Sequence, residues 1–222
     1  MPGLSAIEML DLTGVYIFAL TGSLVALRHR LDIVGVVALG LVTAVAGGVI
    51  RDVLLGDLPP QVMRSNRYLI ATGMAAVTVV VTPRLVERLR QPVLVLDALG
   101  LGLFATVGAA RAAQLGLGLG PAVIAGTISA VGGGLLRDLL AGDVPQIFAP
   151  DSRLYAIPAA LGAVVTVVGH RQGLDLVVAQ AAAVGMTVSL RLLALHYQWR
   201  APVPSLRRPG RWALRSPGRG LG

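Results

Sequence analysis

Apolar residues run along this chain in long unbroken blocks rather than alternating with polar ones, a pattern that predicts membrane-length helices and not half-buried strands. Seven blocks bounded by charged or turn residues approach the roughly 20 residues that cross a bilayer. They are Leu12 to Leu27, Ile33 to Leu55, Tyr68 to Val81, Val93 to Ala113, Pro121 to Leu140, Leu154 to Gly169 and Leu176 to Leu190. Asp32 and Asp175 stand where the second and seventh blocks need N-caps. Gly56 and Gly142 each stand near a stop, followed by Asp-x-Pro. The expected fold is all-α and integral to the membrane, with no separate soluble domain.

Composition agrees. Of 222 residues, 55% are hydrophobic and 14% charged, whereas about a quarter of a soluble domain is charged. The net charge of +8 reads at first as a nucleic-acid signature, but its distribution says otherwise. Arg191, Arg200, Arg207, Arg208, Arg211, Arg215 and Arg219 follow Leu190 with no acid among them, and the other 12 Arg face 11 Asp and Glu. Residues 1–190 form a nearly neutral membrane domain; residues 191–222 form a basic, flexible tail suited to anionic cytoplasmic-leaflet lipid, and no nucleic-acid partner is expected.

Orientation follows from the excess of Arg in short inside loops. With the N-terminus outside, Arg28, Arg30, Arg84, Arg88, Arg90 and Arg153 fall inside, against Arg64, Arg67, Arg111 and Arg171 outside. The tail decides the matter, giving a cytoplasmic C-terminus. Met1 to Leu10 carries Glu8 and no positive segment, so the first block is read as a retained span rather than a cleaved signal.

The most informative feature is an internal duplication. Sliding the chain by 86 residues aligns Asp11 to Val81 with Asp97 to Val167 without a gap, with 22 of 71 positions identical and 10 of the 16 from Ala44 to Pro59. Each copy holds three spans. An odd number inverts the second copy in the membrane, an arrangement common in transport proteins. The seventh span stands outside the duplication.

Spans two and five carry one cassette twice, Ala46-Gly47-Gly48 then Arg51-Asp52, and Gly132-Gly133-Gly134 then Arg137-Asp138. Consecutive glycines weaken a helix by about 1 kcal/mol each relative to Ala, so these are places where it can bend or unwind and free carbonyls toward an ion path. Glycines also let helices approach closely, and both readings stand. Side chains of adjacent residues diverge by about 100°, so Arg51 and Asp52 are expected to reach other helices, either lining a pore or forming ion pairs between the two copies. Asp11 and Asp97 are read as helix caps favoured by the dipole that could also attract cations, and Tyr16, Tyr68 and Tyr155 as packing or interfacial residues that could also gate a path. Thr43, Thr127 and Ser129 could line a polar path or bond their own backbone. His29, His170 and His196 fall at span ends without metal-ligand spacing, and no nucleophile with a base or nucleotide loop is present. No enzyme and no cofactor is expected.

The doubled cassette, with its Arg-Asp-x-Leu-x-Gly-Asp-x-Pro pattern in a three-plus-three arrangement with a seventh span, resembles the prokaryotic trimeric intracellular cation channels. The resemblance covers about Asp11 to Leu190. It implies a homotrimer in the inner membrane, with a pore in each subunit passing potassium or sodium and lined by Gly-kinked second and fifth helices. The kinks then fall at Gly47 and Gly48 and at Gly132, Gly133 and Gly134, the first cluster departing from a triple glycine at Ala46. Eukaryotic members carry a phosphoinositide-linked Lys-Glu-Val where this chain has Arg51-Asp52-Val53. Related bacterial sequences are also described as glycine transporters, and broken helices suit a carrier as well as a pore.

Overall fold

The computed structural model describes residues 5–82, 92–149 and 153–200. Arg84, Arg88, Arg90 and the tail arginines from Arg207 onward lie outside these residues. The described residues form eight helices and no strand, with one isolated bridge between Arg153 and Arg200. They are α1 (Ala6–Arg28), α2 (Ile33–Leu55), α3 (Gln61–Arg64), α4 (Arg67–Val81), α5 (Pro92–Gln114), α6 (Leu119–Ala141), α7 (Ala156–Arg171) and α8 (Leu176–His196). Five of these, α1, α2, α5, α6 and α8, are long and apolar enough to cross a membrane, while α4 and α7 are shorter apolar helices. The single turn α3 lies between α2 and α4.

Local chemistry sets the helix ends. Asp32 Oδ1 accepts the Gly35 amide at 2.8 Å, and Asp175 Oδ1 accepts the amides of Val177 and Val178, satisfying donors that the first turn leaves free. Gly56 (φ 69°) and Gly142 (φ 81°) close α2 and α6 in the left-handed conformation that glycine adopts without strain. Two boundaries lie six residues from those of the apolar blocks. A capping box between Ser5 and Glu8 starts α1 six residues before Leu12, and α8 runs past Leu190 to His196.

The helices pack as a bundle in which α2 crosses α6 at the centre, α1 lies against α2, α4 and α5, and α5 lies against α6, α7 and α8. Small residues make the central crossing close. A Cβ on Gly47 would collide with the Ser129 carbonyl oxygen, and one on Gly133 with the Thr43 carbonyl oxygen. These two contacts exchange under the 86-residue shift. So do their neighbours: Phe18 and Phe104 stack with centroids 5.1 Å apart, Phe104 against Gly14 and Phe18 against Gly100. Outward faces are apolar, with Leu69, Ile70, Met74 and Val77 on α4 and Val177 and Val178 on α8 exposed, as contact with lipid requires.

Candidate functional site

Near the C-terminal end of α2, Arg51 is buried with a side-chain exposure of 1%. A guanidinium withdrawn from water must be both paired and hydrogen-bonded, and its two partners come from α1 and from α2 itself. Nη1 donates to Asp11 Oδ1 on α1 at 3.1 Å, and Nε donates to Asp52 Oδ1 at 2.8 Å. The carboxylates are satisfied in turn, Asp11 Oδ2 by the Tyr68 hydroxyl of α4 at 2.9 Å and Asp52 Oδ2 by the Gln61 amide of α3 at 2.8 Å. The function of α3 is thus to bring a backbone donor over the end of α2.

The second cassette repeats the Arg-Asp pairing with shifted supporting partners. Arg137 Nη1 donates to Asp97 Oδ1 of α5 at 2.8 Å and Nε to Asp138 Oδ1 at 2.9 Å, while the Gln146 amide donates to Asp138 Oδ2 at 3.1 Å. Arg137 also reaches Thr21 of α1 at 3.3 Å, a contact between the two halves. The tyrosine is displaced: Tyr155 lies one position beyond the equivalent of Tyr68, and its buried hydroxyl and Asp97 Oδ2 have no hydrogen-bond partner.

Four expectations are corrected here. Adjacent Arg and Asp side chains do pair, because the long guanidinium arm folds back across the 100° that separates them. The principal Arg-Asp pairs lie within each half, Arg51 with Asp11 and Arg137 with Asp97, rather than between halves. Asp11 and Asp97 are not caps, since both sit inside helices and are 2% and 0% exposed. Tyr68 and Tyr155 lie in the buried core and not in an interfacial belt, and Tyr68 in addition donates to Asp11.

Both helices run unbroken through their glycine clusters, so no unwinding occurs in this conformation. Gly47 and Gly133 lie at the crossing. A Cβ on Gly132 would come 3.2 Å from Gly47 Cα, and one on Gly134 would lie 2.5 Å from the Tyr155 hydroxyl. Gly48 differs, with only ordinary contacts to Arg51 at 3.6 Å and Phe104 at 3.9 Å. Thr43 and Thr127 hydroxyls bond the carbonyls of Leu39 and Val123 one turn back, while the buried Ser129 hydroxyl has no partner.

A narrow cavity of about 10 Å³, room for about one water, lies beside the first site, reached by Asp11, Gly48, Arg51, Asp52 and Tyr68. A wider and more open one of about 500 Å³ lies beside the second, reached by Arg28, Arg137, Asp138, Asp143 and Gln146. Their rims are also bridged. Asp57 binds Arg64 at 2.6 Å and Arg111 of α5 at 3.4 Å, and His29 Nε2 lies 3.0 Å from Asp143 Oδ2. Burial alone would raise the Asp57 carboxyl, but the hydrogen bond and charge of Arg64, with Gln61 and Arg111, hold it below its ordinary value. Among the described residues no group of three or more His, Asp or Glu is placed to hold a metal ion.

Sequence reasoning missed Arg191, which it assigned to the tail. The residue lies within α8 and is 1% exposed. Its Nη1 donates to the carbonyls of Arg153 and Leu154, its Nη2 to Gln146 Oε1 at 2.6 Å, and its guanidinium lies 4.7 Å from the Tyr155 ring centroid. Leu192, Leu193, Ala194 and Leu195 beyond it carry the apolar pattern onward, and that continuation was the available signal.

A membrane-embedded helical bundle with two matched, buried Arg-Asp sites, each beside a cavity, is the kind of molecule that passes polar solutes across a bilayer. The comparisons narrow the class. A family model described as glycine transporter matches residues 8–84 and 94–171, and the chain belongs to this family. A UPF0126 membrane protein of Streptomyces coelicolor is 44% identical over 201 residues, covering 90% of this chain and 91% of that protein. The UPF0126 inner membrane protein YadS of Escherichia coli is 35% identical over 207 residues, covering 91% and 98%. Among solved structures, the TRIC trimeric intracellular cation channel orthologue from Rhodobacter sphaeroides matches with a TM-score of 0.80 and 36% identity, over 87% of this chain and 99% of that one. A structure reported on conductance through TRIC cation channels matches with a TM-score of 0.80 and 33% identity, over 91% and 98%. The fold is that of TRIC cation channels, and the chain is a membrane protein similar to them.

Proposed function

We propose that the protein is a potassium-permeable channel for monovalent cations, with a pore inside each subunit of a homotrimer and lined by α2 and α6. The observation that carries this reading is the pair of matched Arg-Asp sites on those two helices, each opening on its own cavity. Cations meet carboxylates at either end, Asp11 and Asp52 or Asp97 and Asp138, while Arg51 and Arg137 hold the helices together and limit the cation density between them. Gly48 leaves room beside the first site, whereas the Tyr155 hydroxyl closes over Gly134 at the second.

Seven spans in an inverted three-plus-three arrangement follow from the same reading. The rim contacts support it: the C-terminal end of α2 meets that of α5 through Asp57 and Arg111, whereas the end of α6 meets that of α1 through Asp143 and His29. Helices α1 and α2 join through a short turn and pack together, which sets those two rims at opposite ends of the bundle. The trimer is supported by the description of the Rhodobacter sphaeroides neighbour as trimeric. Placement in a prokaryotic inner membrane is supported by the name of the Escherichia coli relative, and a cytoplasmic C-terminus by the Arg distribution.

The purified protein in planar bilayers under a potassium gradient is expected to give unitary currents reversing near the potassium equilibrium potential. A carrier of glycine is the second reading, favoured by the description of the matching family. Saturable glycine counterflow in proteoliposomes without unitary currents would replace the channel reading with that one.

A further inference from the structure

Resting on the channel reading, we infer that Arg191 is a specificity-determining residue that makes the pore electrically asymmetric, disfavouring cations in the cavity beside Arg137. The two buried sites are copies of one sequence, yet their charges differ. At the first, Arg51 faces Asp11 and Asp52, an excess of one negative charge. At the second, Arg137 faces Asp97 and Asp138, and α8 adds Arg191, which brings the balance to neutral. Helix α8 lies outside the duplication, and the further cation that acts on the first site, Arg111, is already paired with Asp57.

Arg191 is joined to the second site rather than merely near it. Gln146 donates its amide to Asp138 and accepts Arg191 Nη2 on its side-chain oxygen, so one residue on the cavity wall ties the two together. Both cavities adjoining Gln146 are lined by arginines, one by Arg28 and Arg137 and the other by Arg153, Arg191 and Arg200. The Tyr155 ring against the guanidinium and the Arg153 and Leu154 carbonyls hold the charge in place without cancelling it. A fixed charge beside a water-filled vestibule sets local ion concentration and entry rate. In a water-like dielectric, a unit charge acting over about 10 Å changes such a concentration about twofold.

The test is single-channel recording in symmetric potassium chloride, first dilute and then molar. Wild-type current is expected to rectify at low salt, larger for cations entering beside Arg51, and to become ohmic at high salt, where screening shortens to about 3 Å. Arg191→Gln should raise current entering from the Arg137 side about twofold at low salt and abolish the rectification. Arg191→Lys, which keeps the charge but not the fork of donors, should rectify like wild type. Ohmic wild-type current at low salt overturns the inference without any variant. So does Arg191→Lys behaving like Arg191→Gln, since the role would then be structural hydrogen bonding. Absence of wild-type current under all conditions would overturn the channel reading itself and this inference with it.

Discussion

Replacing Gly47 by Ala and, separately, Gly48 by Ala distinguishes glycines that let helices meet from glycines that loosen a helix. Both changes gain about 1 kcal/mol of helix propensity in α2. Their surroundings differ: a Cβ on Gly47 runs into the Ser129 carbonyl oxygen, whereas one on Gly48 lies 3.6 Å from the nearest atom, the Arg51 guanidinium. Ser129 belongs to the backbone of α6 and cannot rotate away, so α2 and α6 must separate and the stack of Phe18 on Phe104 loosens with them. Overpacking of this kind costs about 1–3 kcal/mol. The propensity gain is common to both variants, so the difference between them isolates the collision at about 1–3 kcal/mol. In thermal unfolding of detergent-solubilised protein that corresponds to Gly47→Ala melting about 2–12 °C below Gly48→Ala. Gly133→Ala, which meets the Thr43 carbonyl oxygen, should fall with Gly47→Ala. Equal melting of Gly47→Ala and Gly48→Ala would refute the assignment of the crossing to these contacts.

Tyr68→Phe deletes a donor to the buried Asp11 carboxylate and should cost about 1.5–3 kcal/mol. Tyr155→Phe removes a hydroxyl without a partner and should be close to neutral; melting temperatures in the reverse order would contradict the displaced geometry of the second site. The chain contains no cysteine, so single cysteines placed at Met63 and Val144, which are 79% and 67% exposed, report topology cleanly. An impermeant maleimide applied to intact cells should label one of them and reach the other only after permeabilisation, and labelling of both from one side would sink the inverted arrangement.

Much of the fold was legible because apolar length and caps are local properties. Asp32 and Asp175 cap their helices, and Gly56 and Gly142 end theirs, from chemistry contained within a few residues. Boundaries failed where a charged residue interrupted an apolar run. Glu8 concealed the first turns of α1, which made Asp11 look terminal, and Arg191 concealed the last turn of α8. The cassette was found because duplication doubles a weak signal, but its partners were not. Helical period gives the face on which a side chain lies, not which helix will supply its counter-ion. Tyr68 reaches Asp11 across 57 residues of chain, a relation that no local pattern encodes.

The two kinds of contact at the centre of the molecule also divide its assembly in time. Arg51 finds Asp11 and Asp52, and these find Tyr68 and Gln61, on segments that precede residue 82, and Thr21 is the one donor-acceptor link of Arg137 to the other copy. The seam formed by Gly47 with Ser129, Gly133 with Thr43 and Phe18 with Phe104 joins residues a whole repeat apart. During synthesis the first copy can therefore enter the lipid with Arg51 already paired, carrying an uncovered small-residue groove. The second copy, its Arg137 already paired with Asp97 and Asp138, then docks largely by shape.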